Sequence, residues 1–238
     1  MRDKPLGWLS EQHFFRDPVR PTYADTSFFF SPADGIVLYQ EEVDPDESIV
    51  DIKGKPYSLR EALRDETYDK PSLVIGIFMT FFDVHVNRIP YPGGLSYREL
   101  EPLDTLNHPM LELENTLLEE LRLPTPDASY LADKGEYLQH NQRMVNTVAN
   151  IDLEEPYHIL QIADYDVDCI TPFNLKQNQP VLQGERFSQI RYGSQVDLII
   201  PLSDRVHFPS TQTVHTHVEA GVDPHVAVRP KQRRRGAP

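Results

Sequence analysis

The chain has 238 residues, with 37 Asp and Glu against 23 Lys and Arg, so its formal net charge is −14 at pH 7. Five of the basic residues lie in the last ten positions, which leaves 18 basic against 37 acidic residues, or −19, on the rest of the chain. Such an acidic body repels phosphate backbones, so we expect no binding of nucleic acid. The single cysteine, Cys169, excludes an internal disulfide and a multi-cysteine metal site.

The sequence has no stretch that is long and apolar enough to cross a bilayer, and its N-terminus lacks the apolar core of a signal peptide. We therefore expect no transmembrane span and a cytoplasmic protein, with peripheral attachment to a membrane left open. The length fits one domain over residues 1–238. Residues 229–238, rich in Arg, Gly and Pro, predict a basic flexible tail.

The first half of the chain predicts short elements, because its many prolines interrupt the apolar runs. Ser58 and Glu61 form a capping box, which predicts a short helix that runs to about residue 64. Residues 73–82 are apolar and rich in β-branched and aromatic side chains, which predicts a buried strand. Other extended segments are expected at 35–41, 49–53 and 84–88.

Residues 95–140 are the least strand-like part of the chain. An apolar stripe with acidic residues beside it predicts an amphipathic helix that ends at Pro124, and the stripe consists of Met110, Leu113, Leu117, Leu118 and Leu121. Beyond residue 143, alternating patterns predict strands at 145–151, 157–163, 187–191, 195–200, 214–218 and 226–228. The fold class is therefore α+β and β-rich, with short strands in a sandwich or barrel-like sheet arrangement and a few peripheral helices.

Four segments concentrate polar residues at places where the strand pattern breaks. An extended 83–88 segment would place Asp83, His85 and Asn87 on one face. The four segments read, in chain order, Ser-Pro-Ala-Asp-Gly at 31–35, Asp-Val-His-Val-Asn-Arg-Ile-Pro at 83–90, Asn-Gln-Arg at 141–143, and Gly-Glu-Arg-Phe followed by Arg-Tyr-Gly-Ser-Gln-Val-Asp between 184 and 197. Each segment is a weak signal alone, but the order and spacing of the set are specific.

The set resembles the phosphatidylserine decarboxylases, which are self-processing enzymes that depend on a pyruvoyl group. The resemblance covers about residues 18–228 and includes a Lys-Gly-x-x-Tyr-Ser segment at 53–58. It implies that the side-chain oxygen of Ser194 attacks the carbonyl of Gly193, that the peptide becomes an ester, and that elimination and hydrolysis leave a pyruvoyl group in place of Ser194. The cleavage would give a β chain of residues 1–193 and an α chain of residues 194–238.

The resemblance also implies the remaining site residues. His85 would take the proton from Ser194 and Asp34 would orient or assist it, and His85 is also the expected proton donor after CO2 leaves. Arg88 stands where much of the family has a second histidine; since its guanidinium cannot act as a base, we expect it to bind a substrate carboxylate or phosphate. Asn87 is counted with it as a substrate-binding residue.

Three functions remain open at this point. The family default is decarboxylation of phosphatidylserine to phosphatidylethanolamine, but the acidic body disfavours docking on an anionic bilayer. The alternatives are decarboxylation of a soluble amino acid or head group, and an unprocessed homologue that only binds a partner. The expected partners are a phospholipid head group or small amino acid and the two chains after cleavage, with a homo-oligomer left open.

No metal is expected. On a strand, His215 and His217 would face the same side, but spacing places no third ligand beside them.

Overall fold

The computed structural model describes residues 8, 12–21, 24–103, 107–122, 129–164, 169–191 and 194–231. In these ranges the strands are β1 (Phe28–Phe30), β2 (Gly35–Val43), β3 (Val50–Ile52), β4 (Lys55–Tyr57), β5 (Ser72–Met79), β6 (Val86–Arg88), β7 (Gly93–Leu100), β8 (Arg143–Ala149), β9 (Tyr157–Ile162), β10 (Ile170–Pro172), β11 (Gln179–Val181), β12 (Arg186–Ile190), β13 (Ser194–Pro201), β14 (Val206–His207), β15 (His217–Val218), β16 (Pro224–Ala227) and β17 (Arg229–Pro230). The helices there are α1 (Leu59–Leu63), α2 (Leu111–Glu120), α3 (Tyr130–Lys134) and α4 (Tyr137–His140).

One large antiparallel sheet organises the molecule. Its strands follow the order β11-β7-β8-β9-β13-β5-β2-β15. The central strands β5 and β13 are buried along their whole length, and in β13 this burial includes the polar residues Ser194, Gln195 and Asp197. In the described part of the chain the sheet does not close into a barrel, since β11 and β15 are its two edges.

The two faces of this sheet carry separate cores. Successive residues of a strand point to opposite faces, so Ile75 and Ile77 join one cluster while Val74 and Phe78 join the other. The helices cover the second face. The small sheets β10-β12-β6 and β1-β16 contribute side chains to the first cluster. The predicted fold class, β-rich α+β with peripheral helices, is confirmed.

Both predicted helices are present. The capping-box helix is α1, and the backbone N–H of Glu61 donates to Ser58 Oγ at 3.4 Å. The acidic amphipathic helix is α2, which buries Leu113 and Leu117 against the second core. Pro124, the predicted terminator, lies outside the described residues.

Several predicted strand limits are wrong. The strand predicted over 73–82 ends at Met79, and residues 80–83 form a turn instead, because the Asp83 carboxylate accepts the backbone N–H of Thr80 at 2.7 Å. Residues 95–140, which the sequence suggested to be the least strand-like part, begin within strand β7. The polar side chains of β7 give no alternating pattern that would predict its pairing with β8. Of the 214–218 prediction, only His217 and Val218 form a strand.

The basic tail prediction also needs an adjustment. Arg229 and Pro230, its first two residues, pair with β14, and Lys231 Nζ donates to the Ser203 carbonyl at 2.7 Å. Residues 232–238 lie outside the described part. Within the described ranges, no helix has both the length and the apolar character that a membrane crossing requires.

Candidate functional site

Four neighbouring strands, β13, β5, β2 and β15, bring the sequence motifs to one row of strand ends of the large sheet. We call this row the sheet edge; it is distinct from the edge strands β11 and β15. In an antiparallel sheet the start of one strand lies beside the end of the next. Strand β13 starts at Ser194, which pairs with Met79 at the end of β5, and Gly35 at the start of β2 pairs with Val218 at the end of β15. The turn after β5 and the acid before β2 therefore reach the same edge as Ser194.

Gly35 permits this close approach. A Cβ atom at Gly35 would lie 2.2 Å from the carbonyl oxygen of Phe78, and its φ of 150° is one that side-chain-bearing residues rarely adopt. The glycine after Asp34 is thus required for β2 to pack against the end of β5.

Ser194 is fully buried at this edge. Its hydroxyl donates to the sulfur of Met79 at 3.3 Å, and the same sulfur accepts the amide of Asn87 at 3.5 Å. Asn87 in turn accepts the amide of Gln161 at 2.6 Å, and Gln161 accepts that of Asn146 at 3.0 Å. A buried chain of amides thus leads to the serine. The predicted cleavage partner, Gly193, lies outside the described residues.

His85 is held in a single tautomer. Its Nδ1 lies 3.0 Å from the carbonyl oxygen of Asp83, and because a carbonyl only accepts, Nδ1 must carry the proton. Nε2 is therefore an unprotonated acceptor, and it is buried without a hydrogen-bond partner among the described residues. Burial lowers the pKa of His85 to about 4, although the bond to Asp83 opposes this shift, so the ring is neutral at pH 7.

Asp83 itself is bound from two sides. One carboxylate oxygen accepts both the backbone N–H and the hydroxyl of Thr80 at 2.7 Å, and the other lies 2.7 Å from Nε2 of His217. Burial opposes ionisation of Asp83, but the bonds from His217 and Thr80 outweigh it, so its pKa lies below the usual range. The bond to Asp83 raises the pKa of His217, although partial burial of the imidazole acts against this. Each group therefore favours the charged form of the other, which stabilises the ion-paired state of His217 and Asp83.

Asp34 has different partners from those predicted. Arg20 binds both of its carboxylate oxygens at 2.5 and 2.6 Å, and the backbone N–H of Ala220 donates to it at 2.8 Å. Among the described residues, no hydrogen bond joins Asp34 to His85. The relay in which Asp34 orients His85 therefore has no direct contact in this conformation, because Arg20 already satisfies the carboxylate.

Arg88 is also occupied by the N-terminal segment. Its guanidinium binds Asp17 at 2.8 Å and the carbonyl of Gly184 at 3.0 Å, and Arg186 binds the other oxygen of Asp17. The side chain that the sequence predicts to bind an anion is thus already paired with a carboxylate of this chain. Asn87, the other predicted substrate ligand, instead belongs to the buried amide chain.

The third sequence motif lies at the same edge, two strands from Ser194, because Arg143 at the start of β8 pairs with Ile162, which pairs with Gln195. Its Arg143 side chain points to the helix-covered face rather than to the face of Ser194. Fully buried Arg143 donates to the carbonyls of Glu61, Ala62 and Gln139 at 3.0, 3.1 and 3.3 Å, so it joins α1 to α4. Asn141 donates to the His108 and Ala163 carbonyls at 2.9 and 2.7 Å. Both contacts are structural.

A buried carboxyl group lies on the opposite face of β13 from Ser194. Tyr39 donates to Asp197 at 2.8 Å and Gln195 donates to it at 2.6 Å, while Tyr57 lies 3.5 Å away. Burial raises the pKa of Asp197 to about 6, against the effect of these bonds.

Sequence reasoning missed the roles of Arg20, Met79 and His217 at this edge. His217 was weighed only as a metal ligand, and its link to Asp83 spans 134 positions, which no local pattern reveals. In the ranges that the structure covers, no three His, Cys, Asp or Glu side chains group to hold a metal ion.

Comparison with known proteins gives consistent matches. The family model for phosphatidylserine decarboxylase matches residues 12–223. The phosphatidylserine decarboxylase proenzyme of Erythrobacter litoralis is 32% identical over 190 residues, which are 79% of this chain and 62% of that protein. The proenzyme of Novosphingobium aromaticivorans is 31% identical over 188 residues, with the same shares of 79% and 62%. That of Cereibacter sphaeroides is 28% identical over 204 residues, 83% of this chain and 70% of that protein. The chain thus spans about three fifths of the length of the first two relatives.

Proposed function

Because the chain belongs to the phosphatidylserine decarboxylase family, we propose that it is a self-processing carboxy-lyase that converts phosphatidylserine to phosphatidylethanolamine. Cleavage between Gly193 and Ser194 would activate it and divide one domain into chains of residues 1–193 and 194–238. The observation that carries the proposal is the position of Ser194, buried at the sheet edge where the turn bearing His85 also ends.

The described residues support a nucleophilic role for Ser194. An alcohol needs a base before it attacks a carbonyl, and His85 offers an unprotonated, buried Nε2. Its low pKa keeps that nitrogen unprotonated throughout the neutral range. In our proposal His85 takes the Ser194 proton as the hydroxyl oxygen attacks the carbonyl of Gly193. Asp34 assists indirectly, because it holds Arg20 and the backbone of Ala220 in place at the sheet edge.

The site also fits a pyruvoyl group at position 194. That position is fully buried, and Nε2 of His85, which has no hydrogen-bond partner among the residues that the structure describes, lies in the neighbouring turn. When present, the group supplies a carbonyl that binds the substrate amine and draws off the electron pair released with CO2. Burial excludes water there, and Arg88 binds an anionic substrate group once Asp17 has moved away.

Intact-mass analysis tests the self-cleavage. We expect the purified chain to split after Gly193, with a blocked N-terminus on the smaller fragment. Ser194→Ala should remain uncut. The matched control is Ser72→Ala, a fully buried serine at the other end of the same strands, and it should cleave normally. A wild-type chain that stays intact would instead favour a non-catalytic binding homologue.

The substrate needs a separate measurement. CO2 release from phosphatidylserine vesicles should exceed release from free amino acids and from glycerophosphoserine at the same concentration. Equal or greater release from the water-soluble compounds would replace the lipid with a soluble substrate, while leaving the cleavage proposal intact.

A further inference from the structure

Two histidines at the sheet edge are joined through a single aspartate. The backbone carbonyl of Asp83 accepts Nδ1–H of His85 at 3.0 Å, and its carboxylate binds Nε2 of His217 at 2.7 Å. The residue that fixes the tautomer of the buried base is therefore itself fixed by a second imidazole. His217 lies on the other side of the proposed cleavage point from Asp83 and His85.

We propose that His217 is a positioning residue for self-cleavage, which holds the turn of residues 80–85 through Asp83 and so keeps Nε2 of His85 unprotonated. The inference rests on the proposed function, since it assigns His217 to the base that serves Ser194. It differs from a metal-binding role and from a direct contact with the substrate.

The position of Asp83 explains why this turn needs an external partner. The turn lies between β5 and β6, which belong to different sheets, so side chains from other segments hold it. Arg16 donates to the backbone carbonyl of Asp83 at 2.8 Å, and Glu114 accepts the N–H of Phe81 at 2.9 Å. Thr80 holds one oxygen of Asp83 and His217 holds the other. Without His217, a carboxylate that is 7% exposed would have a free oxygen and could rotate toward solvent. That rotation would also break the bonds from the N–H and hydroxyl of Thr80, and the loosened turn would shift the backbone carbonyl that His85 Nδ1 requires.

The charge around the pair makes its strength depend on pH. The groups that face His217 are Asp83 in the turn, Asp34 before β2, and Glu219 after β15, and all three raise its pKa. Glu114 of α2 lies close enough to Asp83 to interact with it. Arg16 and His13 approach His85 from the N-terminal segment. His217 therefore keeps its charge above its ordinary pKa of about 6.5, and the ion pair weakens as pH rises through the raised value.

His85 itself contributes nothing to this change, since it stays neutral above about pH 5. The cleavage rate of the wild-type chain should accordingly be flat at mildly acidic pH and decline on the alkaline side. In His217→Gln, the amide can still donate to Asp83 but carries no charge. We expect cleavage about tenfold slower than wild type at pH 6.5, without the alkaline decline.

The matched control is His207→Gln, the same change at an exposed histidine on β14. It should keep the wild-type rate and the alkaline decline. Loss of the decline in both variants, or its retention in His217→Gln, would overturn the inference. A wild-type chain that never cleaves would instead refute the proposed function.

A second measurement reads the tautomer directly and needs no activity. In the uncleaved Ser194→Ala chain, ¹⁵N NMR of labelled histidine rings should show His85 protonated at Nδ1 with a pKa of about 4. Adding His217→Gln should produce a mixture of tautomers, because the Asp83 carbonyl no longer selects protonation at Nδ1, whereas adding His207→Gln should leave the single tautomer. An unchanged His85 signal in the His217 variant would reduce His217 to a purely structural residue.

Discussion

At the scale of single residues, the packing on the faces of the large sheet depends on small residues that lie opposite large side chains. Gly76 lies within β5, and a Cβ atom there would come within 2.4 Å of the Tyr39 ring. The ring occupies this space so that its hydroxyl can reach Asp197 at 2.8 Å. A glycine that costs stability in an ordinary strand is here the condition for a buried hydrogen bond.

We therefore expect Gly76→Ala to lower the free energy of unfolding by about 1–3 kcal/mol, because the added methyl must push the buried ring aside. Urea denaturation measures this. Gly94→Ala is the control, because a Cβ atom at that strand glycine would have its nearest neighbour at 3.9 Å. This change should raise the free energy of unfolding by about 0.5–1 kcal/mol. Equal losses in the two variants would mean that Tyr39 yields freely.

At the scale of elements, successive side chains of strand β13 point to opposite faces of the sheet, so the candidate site and a buried polar cluster lie on different faces. Ser194 and Val196 face the first core, whereas Gln195 and Asp197 face the helices. The motif at the proposed cleavage point therefore contributes to the candidate site on one face. On the other face it binds a cluster of buried tyrosines, Tyr39, Tyr57 and Tyr137. The pairing of β13 between β5 and β9 keeps the two functions in register.

Asp197 predicts a specific dependence of stability on pH. Its pKa of about 6 exceeds the value of about 3.9 in an unfolded chain, so the folded state binds this proton more tightly. Its contribution to stability is present below about pH 4 and is lost as pH rises through about 6, by roughly 2–3 kcal/mol. Asp197→Asn should remove that loss in denaturation measured from pH 4 to 7, and exposed Asp204→Asn should not. A wild-type dependence in Asp197→Asn would contradict the assignment.

At the scale of the whole molecule, several neutral imidazoles are buried in an acidic protein. Burial lowers the pKa of His85, His158 and His225 to about 4 in each case. The unfolded chain protonates the same residues near pH 6.5. Their contribution to stability is therefore complete above pH 6.5 and is lost as pH falls from 6.5 toward 4.

We expect unfolding at pH 5 to take up protons at these three histidines, with Asp197 acting in the opposite sense. The net uptake of about two protons corresponds to a slope of about 3 kcal/mol per pH unit. Urea denaturation between pH 4.5 and 7.5 measures it. His225→Asn should lower the uptake by about one proton, while His207→Asn, at an exposed site, should leave it unchanged. A flat profile would mean that the imidazoles are hydrated.

Elements with a strong local pattern were predictable. Helix α1 follows from its capping box and α2 from its apolar stripe. Strand β5 follows from its apolar run, and β13 follows from its alternation and from the apolar residues 198–200. Strand β7 was missed because its side chains alternate weakly, and its pairing with β8 depends on a partner about 50 residues away. The turn after β5 was missed because an aspartate side chain, rather than the backbone pattern, ends the strand.

The sequence by itself determined the family, the β-rich fold class and the segments that carry the chemistry, because those depend on residue types in a fixed order. Only the tertiary structure decided which side chains meet: Arg20 with Asp34, Asp17 with Arg88, and His217 with Asp83. The partners in these contacts are 14, 71 and 134 positions apart. From the sequence alone, a charged side chain could pair with any opposite charge. Burial at the sheet edge selects the pair, because a charged group is stable there only when an opposite charge or a hydrogen bond compensates it.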